Sequence, residues 1–343
     1  LQTATTDVPR FDHNPVTGES LGLLVEEQRT NLLLRSEEFD NASWTLFGTT
    51  SRSANATTAP NGSLTADSVT LPVGTAGIYQ LVSASASTSY TFSVWIRADS
   101  SQTVRLVINT NLSDPSVLTV TATTAWQRFS ITKTTSVGTT SVTAQLDTGG
   151  GNTFYLWGAQ LESGAFPTSY IPTTTATVTR SADVASITGS AFSSFYRQDK
   201  GTMYARASIP AFSAISTEQA TQFSVNDGSI NNFMRLRGFS SSGAFTWDAL
   251  GRVGGVDQFD TDAKQYSQLN AAVNNALAYS VNNIANSVNG QNPSTDSSAS
   301  LPTVNRAEIG ATIVGSHIGA QHLRRLTYWP QRLPNETLQT ITQ

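Results

Sequence analysis

Apolar and polar residues alternate along much of this chain with a period of two, the pattern of strands that bury one face. The clearest run is Tyr90 to Arg97. Tyr90, Phe92, Val94 and Ile96 share one face, and Thr91, Ser93, Trp95 and Arg97 share the other. The first set is predicted core. Trp95 stands on the polar face, where so large a ring is either covered by a loop or offered to a ligand. Val104, Leu106 and Ile108, then Leu118 to Val120, Gln127 to Ile131 and Val142 to Leu146, continue the pattern. About eight strands at spacings of roughly 8 to 15 residues predict a sandwich or jelly roll. Upstream, SEEFDNASW predicts a turn with Phe39 and Trp44 packed under it.

The stretch from Phe154 to Asp183 divides the chain. It opens as a strand, runs through Gly164, Pro167 and Pro172, and ends in a Thr tract that is β-branched and therefore extended. This reads as the closing strand of one domain followed by a connector. A single large sandwich would need a long structureless internal loop, which is uncommon in compact domains. Beyond it, Gly201 to Ile209, Thr221 to Val225, Asn232 to Phe239, and Leu277 with Tyr279 form a second set of strands. Residues 257 to 276 are less regular, fitting a helical turn or a long loop. RLPNETLQTITQ predicts a short terminal helix capped by Asn335, with Leu338 and Ile341 on one face. The expected fold is all-β, two β-sandwich (jelly-roll) domains in tandem joined by an extended connector. The boundaries read as a lead with first strands over 1–35, a sandwich over 36–172, a connector over 173–186 and a jelly roll with a short C-terminal helix over 187–343.

Composition agrees with this class. Charged residues make up 13% of the 343, about half the usual share, while aromatic residues at 9% argue against disorder. Net charge is −4, with Lys only at 133, 200 and 264 and no basic run, so no nucleic-acid partner is expected. The absence of cysteine excludes disulfides and thiolate metal sites. No run of 18 apolar residues occurs, so no membrane insertion is expected.

Candidate chemistry is sparse. Glu26 and Glu27 are adjacent, so on a strand they point to opposite faces and do not form a catalytic pair. A salt bridge to Arg29 or Arg35, or a contact with a neighbouring subunit, fits them better. His317 and His322 are five apart, which suits neither a helical zinc pair nor one strand face. The remaining acids show no pattern that places two carboxylates across a sugar ring, so no catalytic residue is assigned and an enzyme is not expected. Asp257, Asp260 and Asp262 offer hard oxygen ligands for Ca²⁺, though not at the spacing of an EF-hand loop, so no cofactor is assigned. Sugar binding needs an aromatic face and a few groups for hydroxyls. Trp95 and Trp126 are candidates in the first unit, and Asn231, Asn232, Arg235, Trp247 and Tyr279 in the second.

Two segments carry a resemblance. PRFDHNPVTGESLGLLVEEQRTNLLLRSEEF (9–39) and WGAQLE with PTSYIPT and VTRSAD (157–183) resemble segments of tailed-bacteriophage structural and fibre proteins. There they flank a sandwich that resembles a carbohydrate-binding module. The last 150 or so residues resemble the concanavalin A-like (laminin-G-like) jelly roll, on GTMYARA, AYSVNN and IGAQHLRRLTYWPQRLPNETLQ. The closing pattern is carried by Ile318, Leu323, Leu326, Tyr328, Trp329, Arg332, Leu333 and Leu338. The resemblance implies a tail fibre or head spike on the virion surface, host cell-surface polysaccharide and other virion proteins as partners, and a homo-oligomer, with a trimer favoured. A polysaccharide depolymerase and a purely architectural virion protein are the alternatives.

Overall fold

The computed structural model describes residues 8–14, 17–148, 151–209, 219–241, 244–261, 264–266, 271–313 and 320–343. The chain forms two compact units. Of the described residues, one unit contains those of 28–181, and the other is discontinuous in sequence, combining those of 8–27 with those of 182–343. The lead assigned to 1–35 therefore divides, and so does the connector assigned to 173–186.

The first unit pairs two five-stranded antiparallel sheets. One has the order Asp114–Ala122, Gln102–Thr110, Ser141–Thr148, Ala76–Ser83, Thr45–Phe47. The other runs Gln127–Thr134, Ser89–Arg97, Asn152–Ser163, Ala66–Leu71, Ser51–Thr57. Phe92, Val94 and Ile96 meet Leu106, Ile108, Val142 and Leu146 in one core, with Phe39 and Trp44 stacked 4.6 Å apart at its edge.

The strand Asn152–Ser163 is not regular. Its register shifts between Trp157 and Gln160, and Gly158 sits at φ +64°. An inserted residue flips the alternation that follows. Tyr155 and Trp157 lie opposite Arg97 and Trp95; past the bulge, Gln160 and Glu162 lie opposite Ser93 and Thr91, so all four occupy the outer face. Ala159 and Leu161 take the core positions.

On an open face water would solvate the Glu162 carboxylate; once covered, it must be met by protein donors. The chain folds back over it through residues 164–180. Glu162 is fully buried and accepts hydrogen bonds from Gln160 Nε2 (2.7 Å), the Thr168 amide (2.8 Å) and the Thr168 hydroxyl (2.7 Å), with Arg29 Nε at 3.6 Å. Asn31, also inaccessible, donates to the carbonyls of Ala159 (3.0 Å) and Ile171 (2.9 Å) and accepts from the amides of Leu33 and Leu161 (both 3.1 Å). Thr173 donates to the Leu33 carbonyl at 2.8 Å, and Val178–Arg180 pairs with Arg29–Asn31. The presumed connector is thus a strap belonging to the first unit as far as Ser181.

In the second unit a seven-stranded antiparallel sheet has the order Phe11–His13, Ser20–Val25, Gln321–Trp329, Lys200–Ser208, Val273–Ser280, Asn283–Val288, Ser294–Asp296. The other sheet orders Ser186–Thr188, Arg306–Ile309, Gln219–Asn226, Phe233–Ser241, Ala244–Val253, Val256–Asp260, with Lys264–Tyr266 also on Ala244–Val253. The last two of these strands lie in the stretch expected to hold a helical turn or a loop. Met203, Phe223, Met234, Leu236, Leu277 and Tyr279 contribute to the core. Gly22 has φ +104°, and a Cβ there would stand 2.4 Å from the Leu323 carbonyl oxygen, so the strand pairing excludes a side chain.

Glu26 finds a counter-charge in Arg10 (2.6 Å). Arg10 also bonds Asp183, and the Asp183 carboxylate accepts the Glu26 amide at 2.7 Å. Arg35 pairs with Glu38. The helix Asn335–Ile341 buries Leu338 against Tyr204, Ala276, Ala278 and Ala285. Asn335 does not cap it: Pro334 holds the cap position, and the Asn335 side-chain Oδ1 accepts from Arg332 Nη2 at 2.7 Å.

Asn31→Ala removes the side-chain partner of two buried carbonyls and two buried amides. Its expected cost is about 3 kcal/mol, read as a lowered denaturation midpoint with an unchanged m-value. A loss below about 0.5 kcal/mol would contradict this role for Asn31.

Candidate functional site

The outer face of the sheet bearing Ser89–Arg97 gathers aromatic side chains from three neighbouring strands. Trp95 lies opposite Arg128 on one side and Trp157 on the other; Arg97 lies opposite Tyr155. Trp126 enters just before the strand Gln127–Thr134. Trp95, Trp126 and Tyr170 pack against buried Trp157, Ala59 and Ala66. The two first-unit tryptophans expected to bind sugar are therefore in one cluster.

Arg97 organises its solvent side. The guanidinium carbon sits 4.9 Å from the Tyr155 ring centroid and 6.0 Å from that of Trp126. Asp99 lies 3.7 Å from Arg97 Nη2 and accepts a 3.1 Å hydrogen bond from the Tyr155 hydroxyl. Burial and the Asp99 charge raise the Tyr155 pKa, so the phenol stays neutral and a donor. Trp126 is fixed by Nε1 donating to the Thr58 carbonyl at 3.0 Å. Trp126, Tyr155 and Arg97 are half-buried, and Asp99 is exposed.

The inner side of the cluster is sealed. Trp157 Nε1 donates to Thr65 at 3.1 Å, and its ring lies 4.8 Å from Tyr170. Tyr170 donates to Glu37 at 3.1 Å and bonds Ser36 at 2.6 Å. Arg128 ties the strap down through the Thr168 carbonyl (2.7 Å) and Ser93 (2.9 Å). Trp95 Nε1 is buried with no acceptor among the described residues. Beside the cluster, Glu37, Asp40, Asn55, Thr65 and Asp67 line a cavity of about 380 Å³. Burial raises the pKa of both Glu37 and Asp67.

The second-unit candidates do not assemble. Trp247 is 2% exposed and packs with Ile209, Ala220, Val273 and Val288. Tyr279 is fully buried, its hydroxyl donating to the Arg197 carbonyl at 2.8 Å. Arg235 lies over Phe233 and donates to the Thr312 hydroxyl at 2.6 Å; burial lowers its pKa to about 10. Asn231 and Asn232 shape a turn: Asn232 donates to Asp227 at 2.9 Å and accepts from the Gly254 amide at 2.9 Å, while the Asn231 carbonyl accepts from the Gly255 amide. Trp247 and Tyr279 are in the core, while Asn231 is exposed and Asn232 half-buried.

The acids proposed for Ca²⁺ also part company. Asp257 pairs with Arg252 at 2.6 Å, and Asp260 with Arg237 at 2.8 Å. Asp262 and His317 lie outside the described residues. His322 bonds Asp12 at 2.8 Å. Among the described residues no three His or acidic side chains converge as a metal site.

Tyr155 and Arg97, which meet in this cluster, are not among the candidates named from sequence. Tyr155 and Trp157 are two apart and so share a face, a usable signal, but which strand adjoins Arg97 is a matter of pairing.

Asp248 supplies a pH-dependent probe of the second unit. Burial pushes its carboxyl up to about 6, despite bidentate contact with Arg237 at 2.7 and 3.0 Å. The folded state therefore holds this proton more tightly than the unfolded chain, whose Asp titrates near 4. The contribution is present below about pH 4 and is lost as pH rises through about 6. Subtracting Asp248→Asn from the parent across this window should give a negative slope of stability against pH; a positive slope would refute the shift.

Comparison with known proteins adds little. No protein-family model matches the sequence. No curated protein matches it either. Among solved structures, the Ruminococcus gnavus IT-sialidase CBM40 bound to α2,3-sialyllactose aligns at 15% identity over 43% of this chain and 84% of its own, with a TM-score of 0.35. The bacteriophage CBA120 tailspike protein 4 enzymatically active domain aligns at 11% identity over 39% of this chain and 21% of its own, with a TM-score of 0.32. A CBM4 aligns at 18% identity over 41% of this chain and 96% of its own, at 0.29. Likeness at these scores bears no weight for what this chain binds.

Proposed function

We propose that the chain is a glycan-binding adhesion protein whose contact face is Trp126, Arg97, Tyr155 and Asp99 in the first unit. The observation that carries this is the guanidinium of Arg97 held against both the Tyr155 and Trp126 rings. The ring surfaces offer apolar area to the C–H face of a sugar, as aromatic residues do in polar ligand sites. Arg97 donates, Asp99 accepts, and the Tyr155 hydroxyl does both, which suits adjacent sugar hydroxyls. Each group is already held by a neighbour, so little ordering cost remains on binding.

The biological setting we propose is the virion surface, as a tail fibre or head spike, with host polysaccharide and other virion proteins as partners. Support comes from the two sequence segments that resemble phage fibre proteins. Assembly as a trimer would multiply weak single sites into useful avidity. The role proposed is binding without bond cleavage.

The test is incubation of the purified protein with host surface polysaccharide, following retention and polymer length together. Retention with unchanged length is expected, and Trp126→Ala should weaken it about tenfold, or ~1.4 kcal/mol, with the β-sheet circular-dichroism spectrum retained. Shortened polymer would make the chain a depolymerase. Lack of retention on every glycan of a susceptible host would leave an architectural role.

A further inference from the structure

The second unit contains a cavity of about 550 Å³ lined by Ser193, Ser194, Phe195, Arg197 and Tyr328, among others. Its size falls within the range of small-molecule sites, roughly 300–1,000 Å³. None of the candidates named from sequence lines it.

Its apolar wall is rigid. Phe195 and Tyr328 are half-buried and meet edge to face, with centroids 5.4 Å apart. Behind them, buried Tyr196 stacks on Phe192 at 4.6 Å. The Tyr328 hydroxyl accepts from the Arg197 amide at 3.0 Å and bonds the Tyr279 hydroxyl at 3.0 Å. Tyr279 gives its own proton to the Arg197 carbonyl at 2.8 Å, so in the mutual bond it can only accept. The Tyr328 hydroxyl is thereby spent inside the protein, and the ring stays in place. A Cβ on residue 201 would stand 2.5 and 2.6 Å from these two hydroxyls, and Gly201 occupies that position.

The rim is polar and oriented. Arg197 grips Asp199 through Nε and Nη2, both bonds 2.9 Å, which fixes the guanidinium plane and turns Nη1 away from the carboxylate. The pair is neutral as a unit, so Arg197 serves as an aimed donor more than as an anion trap. Ser194 donates to the Ala191 carbonyl at 2.9 Å and Ser193 to the Ser190 carbonyl at 3.5 Å. Their lone pairs remain as acceptors. A fixed ring face beside one donor and two acceptors complements a pyranose, which presents C–H bonds on one side and neighbouring hydroxyls at its edge.

We propose that this cleft is a second saccharide site that takes a neutral pyranose ring, making the chain bivalent. It stands apart from the first-unit face, whose residues are all different. Two weak sites on one chain would raise retention on a repeating polymer by effective concentration alone.

The experiment is saturation-transfer NMR on the full chain carrying Trp126→Ala, which silences the first-unit face, with the methyl glycosides of glucose, galactose and mannose at millimolar concentration. Transfer to at least one glycoside is expected. Adding Arg197→Ala or Ser193→Trp, both at exposed positions, should reduce it at least about fivefold, the loss of roughly one hydrogen bond. Unchanged thermal midpoints on adding either substitution would verify that the variants fold. Absence of transfer to all three glycosides overturns the second site, while polymer retention by the parent chain still reports separately on the first. Transfer unchanged by both cleft substitutions also overturns it.

Discussion

A carboxylate taken fully out of water must be met by donors, and in the first unit Glu162 sets that requirement. An isolated buried charge costs several kcal/mol. Thr168 meets it twice and Gln160 once, with Arg29 alongside. To bring Thr168 there, the chain must reverse after Ser163 and lie across the sheet it has just left. Asn31 then ties the returning strap to the strand that precedes it, through two hydrogen bonds to the strand and one to the strap. The single-residue bulge at Gly158 makes this possible, because it carries Gln160 and Glu162 onto the face already occupied by Trp157. Without the inserted residue, both polar side chains would point into the apolar core.

The same arrangement builds the candidate site. The strap brings Tyr170 over Trp157 and anchors Arg128, so the inner part of the aromatic cluster is closed. What remains toward solvent is the part held by Arg97, where ring surface, donor and acceptor occur together. Rigid rings with satisfied polar atoms lose little freedom when a ligand arrives. The cleft of the second unit follows the same rule by different means, since its tyrosine hydroxyls satisfy one another.

Both segments that resemble fibre proteins acquire a physical meaning. Asn31 from the first, with Gln160, Glu162 and Thr168 from the second, make the buried network of the first unit. Arg10 and Glu26 from the first, with Asp183 from the second, make an ion cluster in the second unit. These residues serve to close each unit where the chain passes from one to the other in sequence. Their spacing marks architecture, and the residues proposed for sugar contact, Arg97, Asp99, Trp126 and Tyr155, lie outside both segments.

Period-two alternation by itself determined the all-β class and the core face of Tyr90 to Ile96, because burial of one strand face is a local property. It also marked Trp95 as a large ring on a polar face, while Gly, Pro and the Thr tract marked the division near 154–183. Only the tertiary structure decided which strands adjoin, and hence that Arg97 meets Tyr155 and Trp126 while Trp247 and Tyr279 go to the core. It likewise decided that residues 8–27 join the second unit's sheet rather than lead into the first, and that the Thr-rich connector is a strap. Strand pairing, bulge-shifted facing and the neutralisation of buried charge all join residues far apart in sequence. Their outcome depends on which distant partner arrives, which no local pattern records.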